Sequence, residues 1–205
     1  MENQKNRLKI LTAHEIEALY GLPKFTEEER EHYFFLSPPE QKEVENLRTI
    51  PSKSHFILLL GYFKAKKVFF ILDSEKIMDD IYYVHHRYFS EIQPFPIIQV
   101  TDPTRLTQQA CILKLLGYQN CTQEIKEKLY ENALHFATIF TKPIYIFKEL
   151  VSYLESRCIV VPSYSFFQDV VGKALTEEMN RLGMAIMRST SVKIRSELDN
   201  LLETE

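Results

Sequence analysis

The feature that most constrains the fold is a helix-start signal that recurs between residues 12 and 40. The segments Thr12–Glu15, Thr26–Glu29 and Ser37–Glu40 each carry a hydroxyl side chain three residues before a glutamate. In this capping box the two side chains accept hydrogen bonds from free backbone N–H groups of the first helical turn. Pro38 stands at the first helical position, where proline is favoured. The sequence therefore predicts helices over about 13–20, 27–35 and 38–48.

Helical patterns continue through the middle of the chain. Ser52 or Ser54 opens an apolar run that extends to Lys67. β-propensity would allow a strand at 56–60, but the flanks are helical and no alternating partner strand is present, so we favour a helix. This helix would bury Phe56, Leu59, Leu60 and Phe63. Further helices are predicted at about 75–89 after Ser74, 102–116 before Gly117, 123–140 after Thr122, and 192–203. The expected fold class is all-α, a bundle of about eight to ten helices.

Residues 143–183 form the most specific pattern, two helices joined by a short turn. Ile144, Phe147, Val151 and Leu154 recur with helical spacing, and Val161–Pro162 interrupts that period. Ser163 and Ser165 are suitable N-caps for the second helix. Its apolar side would hold Phe166, Phe167, Val170, Val171, Ala174 and Leu175, and its polar side Ser165, Gln168, Asp169, Gly172 and Thr176. The unit is either a helix-turn-helix, whose second helix enters a DNA major groove, or a helical hairpin whose outer face meets water.

Charge and cysteine content limit the classes of protein. A net charge of −3 does not by itself indicate a nucleic-acid partner, so DNA binding would depend on local basic patches. The three cysteines are widely spaced and form no CxxC pair, which favours free thiols in a reducing cytoplasm. The N-terminus has no apolar signal core, and no stretch reaches the about 18 apolar residues of a membrane span. Pro94–Pro103 is the predicted boundary between two modules, 1–93 and 102–205.

Catalytic patterns are weak. Asp79 and Asp80 are adjacent and would point about 100° apart on a helix, as would His85 and His86, so neither pair favours a metal site. The sequence contains no HExxH, P-loop, G-x-S-x-G or G-x-G-x-x-G motif. We therefore expect no catalytic residue, metal or cofactor in this chain.

Two short segments carry residues suited to DNA. Lys64, Lys66 and Lys67 follow the apolar helix beside aromatic residues, and they would either contact phosphates or complement the helix dipole. The segment 104–109 opens a helix with small hydroxyls, and its Arg105, Gln108 and Gln109 could contact bases or phosphates.

Five stretches, taken in order, resemble a known family. They are residues 8–23, 27–40, 47–70, 116–120 and, above all, 142–182. Together they resemble the N-terminal domain of the large transposases of replicative transposons, the Tn-three family. Members of this family are longer, and their catalytic core, with its acidic triad and divalent metal, is absent here. The resemblance implies recognition of the transposon's terminal inverted repeats through helix-turn-helix-like modules, in a cytoplasmic, nucleoid-associated bacterial protein.

The resemblance also implies a set of DNA-contacting residues. The helix after Ser163 becomes the expected recognition helix, and the basic residues before the Leu116–Tyr118 turn and around the apolar helix become phosphate contacts. Relatives commonly show paired arginines where this chain has Leu47–Thr49 and Ser54–Phe56. The expected contacts are Lys53, Lys64, Lys66, Lys67, Arg105, Gln108, Gln109, Tyr164, Ser165, Gln168 and Lys173.

The expected partners are double-stranded DNA and the rest of the transposase chain, with self-association of the full-length protein left open and no membrane. Two alternatives remain. One is a helical protein-interaction module, which the apolar run Val68–Leu72 would support if it is exposed. The other is a stand-alone transcriptional regulator that binds a palindrome as a dimer.

Overall fold

A computed structural model describes residues 7–90 and 99–190, and within these two ranges the chain forms nine helices and no strand. This confirms the predicted all-α class and the expected number of helices. The helices are α1 (Ala13–Tyr20), α2 (Glu27–Tyr33), α3 (Pro38–Glu45), α4 (Ile50–Lys66), α5 (Met78–Phe89), α6 (Asp102–Leu116), α7 (Gln123–Ala137), α8 (Pro143–Glu155) and α9 (Tyr164–Ser189).

Local capping explains where most helices begin. All three predicted capping boxes are present, at Thr12, Thr26 and Ser37. Helix α5 is different, since it begins at Met78 and not after Ser74. Residues 74–77 form a turn instead, in which the side chain of Asp73 accepts a bond from the N–H of Glu75 at 3.2 Å. Because Asp73 satisfies these turn amides, Ser74 does not act as a helix cap.

Some predicted segments have different extents, and others lie outside the described residues. Helices α3 and α7 end about three residues earlier than predicted, whereas α9 continues to Ser189. The predicted helix over 192–203 lies outside the described residues, as do residues 91–98 at the predicted boundary. The division into 1–93 and 102–205 stays a prediction. Contacts between Cα atoms group the chain differently, into two compact units that each combine distant segments.

Unit 2 consists of residues 11–121 and 154–162. Helix α4 forms its centre, because every residue from Ser54 to Phe63 is buried. The predicted burial of Phe56, Leu59, Leu60 and Phe63 is confirmed. The 154–162 segment joins this unit through backbone bonds on either side of Gln119, whose N–H donates to Cys158 O at 2.9 Å and whose carbonyl accepts from Val160 N at 3.0 Å.

Unit 1 consists of residues 1–10, 122–153 and 163–205. Its core lies between α7, α8 and the first three turns of α9, where the rings of Phe147 and Phe167 meet edge to face, 4.8 Å apart. Helix α9 buries four residues of its predicted apolar side, Phe167, Val170, Val171 and Ala174, whereas Phe166 and Leu175 are half-buried. Helix α8 buries Phe147 and Leu154 as predicted. It also buries Ile146 and Leu150, whereas Ile144 and Val151 are only half-buried, so its inner face is rotated from the predicted one.

Candidate nucleic-acid interface

Two helices of unit 2 begin with the same local structure. Thr49 caps α4 and Thr101 caps α6, and each threonine hydroxyl accepts a bond from the backbone N–H three residues later, at 3.4 Å. Each helix then has a proline in its first turn, Pro51 in α4 and Pro103 in α6. Free and partly satisfied N–H groups at such helix starts attract anions, and the helix dipole adds to that attraction.

A buried side-chain bridge connects these two helix starts. Gln108, on α6, donates from Nε2 to the carbonyl oxygen of Ser52 at 2.9 Å and to its hydroxyl at 3.0 Å. Its Oε1 lies 2.6 Å from Nδ1 of His55, so Nδ1 carries the proton of a neutral ring. Gln108 is 2% exposed. The side chain expected to contact DNA instead holds α6 against α4, and this conformation leaves none of it available to a base.

Burial also fixes the charge state of the histidine in this bridge. It lowers the pKa of His55 below its ordinary value of 6.5, and the bond with Gln108 opposes that shift only in part. The ring is therefore neutral at neutral pH, and the bridge between the two helix starts carries no charge.

A cleft of about 420 Å³ opens beside the two helix starts. We call it the helix-start cleft. Among the described residues that line it, Arg48 is the only charged one and is exposed, while the Asp102 carboxylate stands at the first position of α6, between the lining residues Thr101 and Thr104. The lining residues are Asn46, Leu47, Arg48, Thr49, Pro51, Ser52, Gln99, Val100, Thr101 and Thr104. Two helix N-termini, one arginine and several hydroxyls and amides together make a concave surface suited to a phosphate group.

The predicted residues next to this cleft differ in availability. Lys53 follows Pro51 by two positions and is half-buried. Arg105 follows Pro103 in the same way, but its guanidinium binds the Asp102 carboxylate at 3.0 Å. Gln109 is half-buried on the neighbouring turn. As phosphate or base contacts these three residues stay predictions, and Arg105 would have to exchange its carboxylate for a phosphate.

The lysines at the end of α4 are used within unit 2. Lys64 binds the carboxylate of Glu40 and the carbonyl of Phe35, both at 2.8 Å. Lys66 donates to Ala18 O at 2.5 Å, and Lys67 donates to Lys64 O at 2.6 Å. Only the Lys67 bond reaches a carbonyl at the end of α4 itself, as the dipole interpretation describes, whereas Lys64 and Lys66 bind groups outside α4. All three ammonium groups thus have partners within unit 2, and as phosphate contacts these lysines stay predictions.

Lys67 ends α4 in a left-handed backbone conformation, with φ of 57°. Its ammonium lies 5.7 Å from the centre of the Tyr118 ring. Burial, and then the charge of Lys64, lower the pKa of Lys67 below its usual range. A partly desolvated ammonium over an aromatic ring is a packing element, which again favours a structural role.

The predicted recognition helix α9 is covered on part of its outer face by the segment Arg7–Ile10. Gln168 donates from Nε2 to Leu8 O at 2.8 Å, and the hydroxyl of Tyr164 accepts a bond from Ile10 N at 3.1 Å. Asp169 pairs with Arg7 at 3.5 Å. A bidentate contact between Gln168 and an adenine would therefore require its amide to leave Leu8.

The remaining predicted contacts on α9 have partners on their own unit. The hydroxyl of Ser165 lies 3.0 Å from that of Ser163, the helix cap. The Lys173 ammonium sits 4.4 Å from the centre of the Tyr130 ring and 3.9 Å from the Glu177 carboxylate. Both residues stay predictions, because surface partners of this kind exchange readily for a ligand.

One of the two adjacent aspartates of α5 belongs to a buried ion pair. Asp80, 4% exposed, accepts bonds from the Tyr62 hydroxyl and from Nε of Arg30, the latter at 2.6 Å. Burial and the bond to Asp80 raise the pKa of Tyr62 far above its usual range. Asp79 is exposed and reaches the same arginine at 3.9 Å. Within residues 7–90 and 99–190, no group of three or more His, Cys, Asp or Glu could hold a metal.

Sequence reasoning missed two features of this surface. The first is the pairing of the two helix starts, although Thr49–Lys53 and Thr101–Arg105 share the pattern T-x-P-[S/T]-[K/R], which could have revealed it. The second is the contact between Arg7–Ile10 and α9. No local pattern signals that contact, since its partners are 154 and 160 residues apart in the chain.

The described residues form an all-α fold with a concave cleft beside two helix starts. The chain belongs to the family described as domain of unknown function (DUF4158), which matches residues 10–174 and is found in transposase-related proteins. No curated protein matches the chain. No helix within the described ranges is both long enough and apolar enough to cross a membrane.

Proposed function

We propose that this chain binds double-stranded DNA at the terminal inverted repeats of a transposon, as the N-terminal part of a transposase. Membership of a family found in transposase-related proteins supports the proposal. So does the order of the five stretches that resemble replicative transposases. In this proposal the chain recognises DNA, and the remainder of the transposase cuts and joins the strands.

The helix-start cleft is the observation that carries the proposal. A DNA phosphate placed there would meet the starts of α4 and α6 together with Arg48, and the Asp102 carboxylate at the start of α6 is paired with Arg105 at 3.0 Å, which reduces its repulsion of the phosphate. Phosphate contacts position a protein on the duplex without reading its sequence. The cleft therefore accounts for affinity and register, while base recognition has to come from another element.

Helix α9 is the element we assign to base recognition. With α8 it retains the order of a helix-turn-helix, and its outer face carries the amide of Gln168 and the hydroxyl of Ser165. Asp169 on the same face would accept from a cytosine amine. Two weak contacts on one chain combine through effective concentration, which suits a protein with a net charge of −3.

Fluorescence anisotropy with a labelled end repeat and a scrambled duplex, measured across salt concentrations, tests the proposal. We expect Arg48→Ala to weaken binding to both duplexes and to reduce the log–log salt slope by about one unit. Lys42→Ala is the matched control, because Lys42 is exposed on α3 of the same unit and outside the cleft lining. Equal loss in the two variants would show only a general charge effect and would exclude the cleft.

A second candidate function, protein interaction, is favoured by the end of α9. Its last three turns expose Met179, Leu182 and Ile186, the first of them at 72%. By contrast, the run Val68–Leu72 exposes only Ile71 strongly, so it no longer supports this function. A contiguous apolar helix face commonly marks a partner site, here the rest of the transposase chain. Light scattering of the wild-type chain and of Leu182→Glu, each with and without the remainder of the transposase chain, tests this second function. Identical masses for the two variants in the presence of that remainder would exclude it.

A further inference from the structure

The segment Arg7–Ile10 lies along α9 and is held there by three polar contacts. Two of them join α9 side chains to the backbone, Gln168 Nε2 to Leu8 O at 2.8 Å and Ile10 N to the Tyr164 hydroxyl at 3.1 Å. The third is the pair of Arg7 with Asp169 at 3.5 Å. The backbone of the segment therefore binds the Gln168 amide and the Tyr164 hydroxyl on the surface of α9.

The segment lies against α9 at Gly172, where a Cβ would be in ordinary van der Waals contact with Leu8. An ideal Cβ built on Gly172 would lie 3.7 Å from Leu8 Cβ, so Leu8 sits directly over the helix backbone at this point. Tyr164, Gln168, Asp169 and Gly172 lie on neighbouring turns of one helix face. The segment therefore covers a continuous strip of the face that carries the predicted base contacts.

We propose that Arg7–Ile10 is a displaceable strap, and that DNA reaches the outer face of α9 only after the strap has left it. This inference rests on the proposed function. The atoms involved support it, because the amide of Gln168, the hydroxyl of Tyr164 and the carboxylate of Asp169 are groups that would otherwise meet base edges. The strap is autoinhibitory, since the protein and the DNA compete for the same donors and acceptors.

The strap is anchored at one end and weakly held at the other. Ile10 is 8% exposed and fixes the strap to unit 1. Leu8 is half-buried, and the Arg7 and Asp169 side chains are 42% and 60% exposed, so their attraction is weakened by solvent. Arg7 to Lys9 and the backbone N–H of Ile10 can therefore leave α9 while the buried Ile10 side chain stays in place.

A reversible disulfide provides the test. Leu8→Cys combined with Gly172→Cys places the two Cβ atoms at about 3.7 Å, close to the disulfide mean of about 3.8 Å. The oxidised protein keeps the strap closed, and reduction frees it in the same molecule. Each single cysteine variant, treated identically, controls for the native thiols of Cys111, Cys121 and Cys158. Mass spectrometry confirms the intended link.

Anisotropy with the labelled repeat gives the outcome. Because minor conformations of this kind are populated at about 0.1–10%, we expect removal of residues 1–9 to tighten binding by at least about tenfold. Removal of residues 1–6 alone, which leaves the strap, is the matched control. The oxidised double variant should bind at least about tenfold more weakly than its reduced form.

Two results would contradict the proposed strap, and only one of them would also exclude the proposed function. Equal affinity of the oxidised and reduced double variant excludes the strap but leaves DNA binding intact. No binding by any form, the truncated chain included, excludes both the strap and the proposed function. Hydrogen exchange of the Ile10 amide in the wild-type chain provides a second measurement, because the repeat duplex should accelerate exchange if Tyr164 releases that N–H, and unchanged exchange counts against the strap.

Discussion

Helices α4 and α6 start alike and carry the same four residues near their ends, yet those residues have opposite roles. Both begin with T-x-P-[S/T]-[K/R], and both contain Leu-Leu-Gly-Tyr, as Leu59–Tyr62 and as Leu115–Tyr118. Helix α4 continues through its glycine for five residues, whereas α6 ends at it. The same four residues therefore continue one helix and end the other, and tertiary packing determines which.

The surroundings of the two glycines explain the difference. A Cβ on Gly61 would lie 2.4 Å from the ring of Phe34, which is fully buried against α4. Gly117 has no atom within 4 Å of the same position, but its φ of 70° ends the helix in the left-handed conformation. Gly61 is needed for close approach and Gly117 for backbone conformation.

The largest effect is expected from the buried glycine. Gly61→Ala should lower the free energy of unfolding by about 3 kcal/mol, because a well-packed ring has to move. Gly117→Ala should cost about 1 kcal/mol, the cost of a left-handed backbone without glycine. Urea unfolding of both variants measures this difference. Equal losses would mean that the contact with Phe34 does not distinguish the two glycines.

The next largest difference in stability is expected between the two tyrosines that follow these glycines, Tyr62 and Tyr118. Tyr62→Phe removes a hydrogen bond to the buried carboxylate of Asp80 and should cost about 2 kcal/mol. Tyr118→Phe should change stability by less than about 0.5 kcal/mol, since Tyr118 is half-buried and no hydrogen bond of its hydroxyl is seen within the described residues. The same unfolding measurement applies. A loss at Tyr118 comparable to that at Tyr62 would contradict the contrast.

The two helix starts should respond alike. Thr49→Ala and Thr101→Ala each remove a cap and should each cost about 1 kcal/mol, whereas the serine variants should retain most of it. In the DNA assay both alanine variants should weaken binding, because both starts line the helix-start cleft. If only one variant affects binding, the cleft is not shared by the two helices.

The smallest effect should be a pH dependence of stability that comes from His55, in the bridge between α4 and α6. Because the folded-state pKa of His55 lies below its ordinary value of 6.5, the unfolded chain binds a proton more readily there. Stability from this group is complete above that value and is lost as the pH falls from it toward the folded pKa. His55→Gln should flatten the pH dependence of unfolding in this range. An unchanged profile would mean that another group titrates.

The helices themselves were largely predictable, because their starts depend on residues three positions apart. The capping boxes at Thr12, Thr26 and Ser37 each appear where the sequence placed them. Helix α5 was predicted three residues early, because Asp73 accepts bonds from the N–H groups of Glu75 and Lys76 and holds residues 74–77 in a turn. The rotation of the α8 face escaped prediction, since its apolar residues fit two overlapping stripes and only packing selects one.

The candidate site was much less predictable. Gln108 has the chemistry of a base contact, but two polar groups on α4 bind both ends of its amide in the core. The α4 lysines have the chemistry of phosphate contacts, but carbonyls of unit 2 occupy them. The partners of Gln108 and Lys66 are distant in sequence, whereas that of Lys67 is three residues away. Residue type indicates what a side chain can bind, and tertiary contact determines what it does bind.

The contact of Leu8 with Gln168 also has a kinetic consequence. A ribosome adds about 5–20 residues per second, so the 160 residues that separate these partners take roughly 8–30 s to synthesise. Closing so long a loop is entropically costly and slow, which delays the contact until local helices have formed. During synthesis, the residues around Leu8 therefore remain without their native partner while everything up to Gln168 is being made.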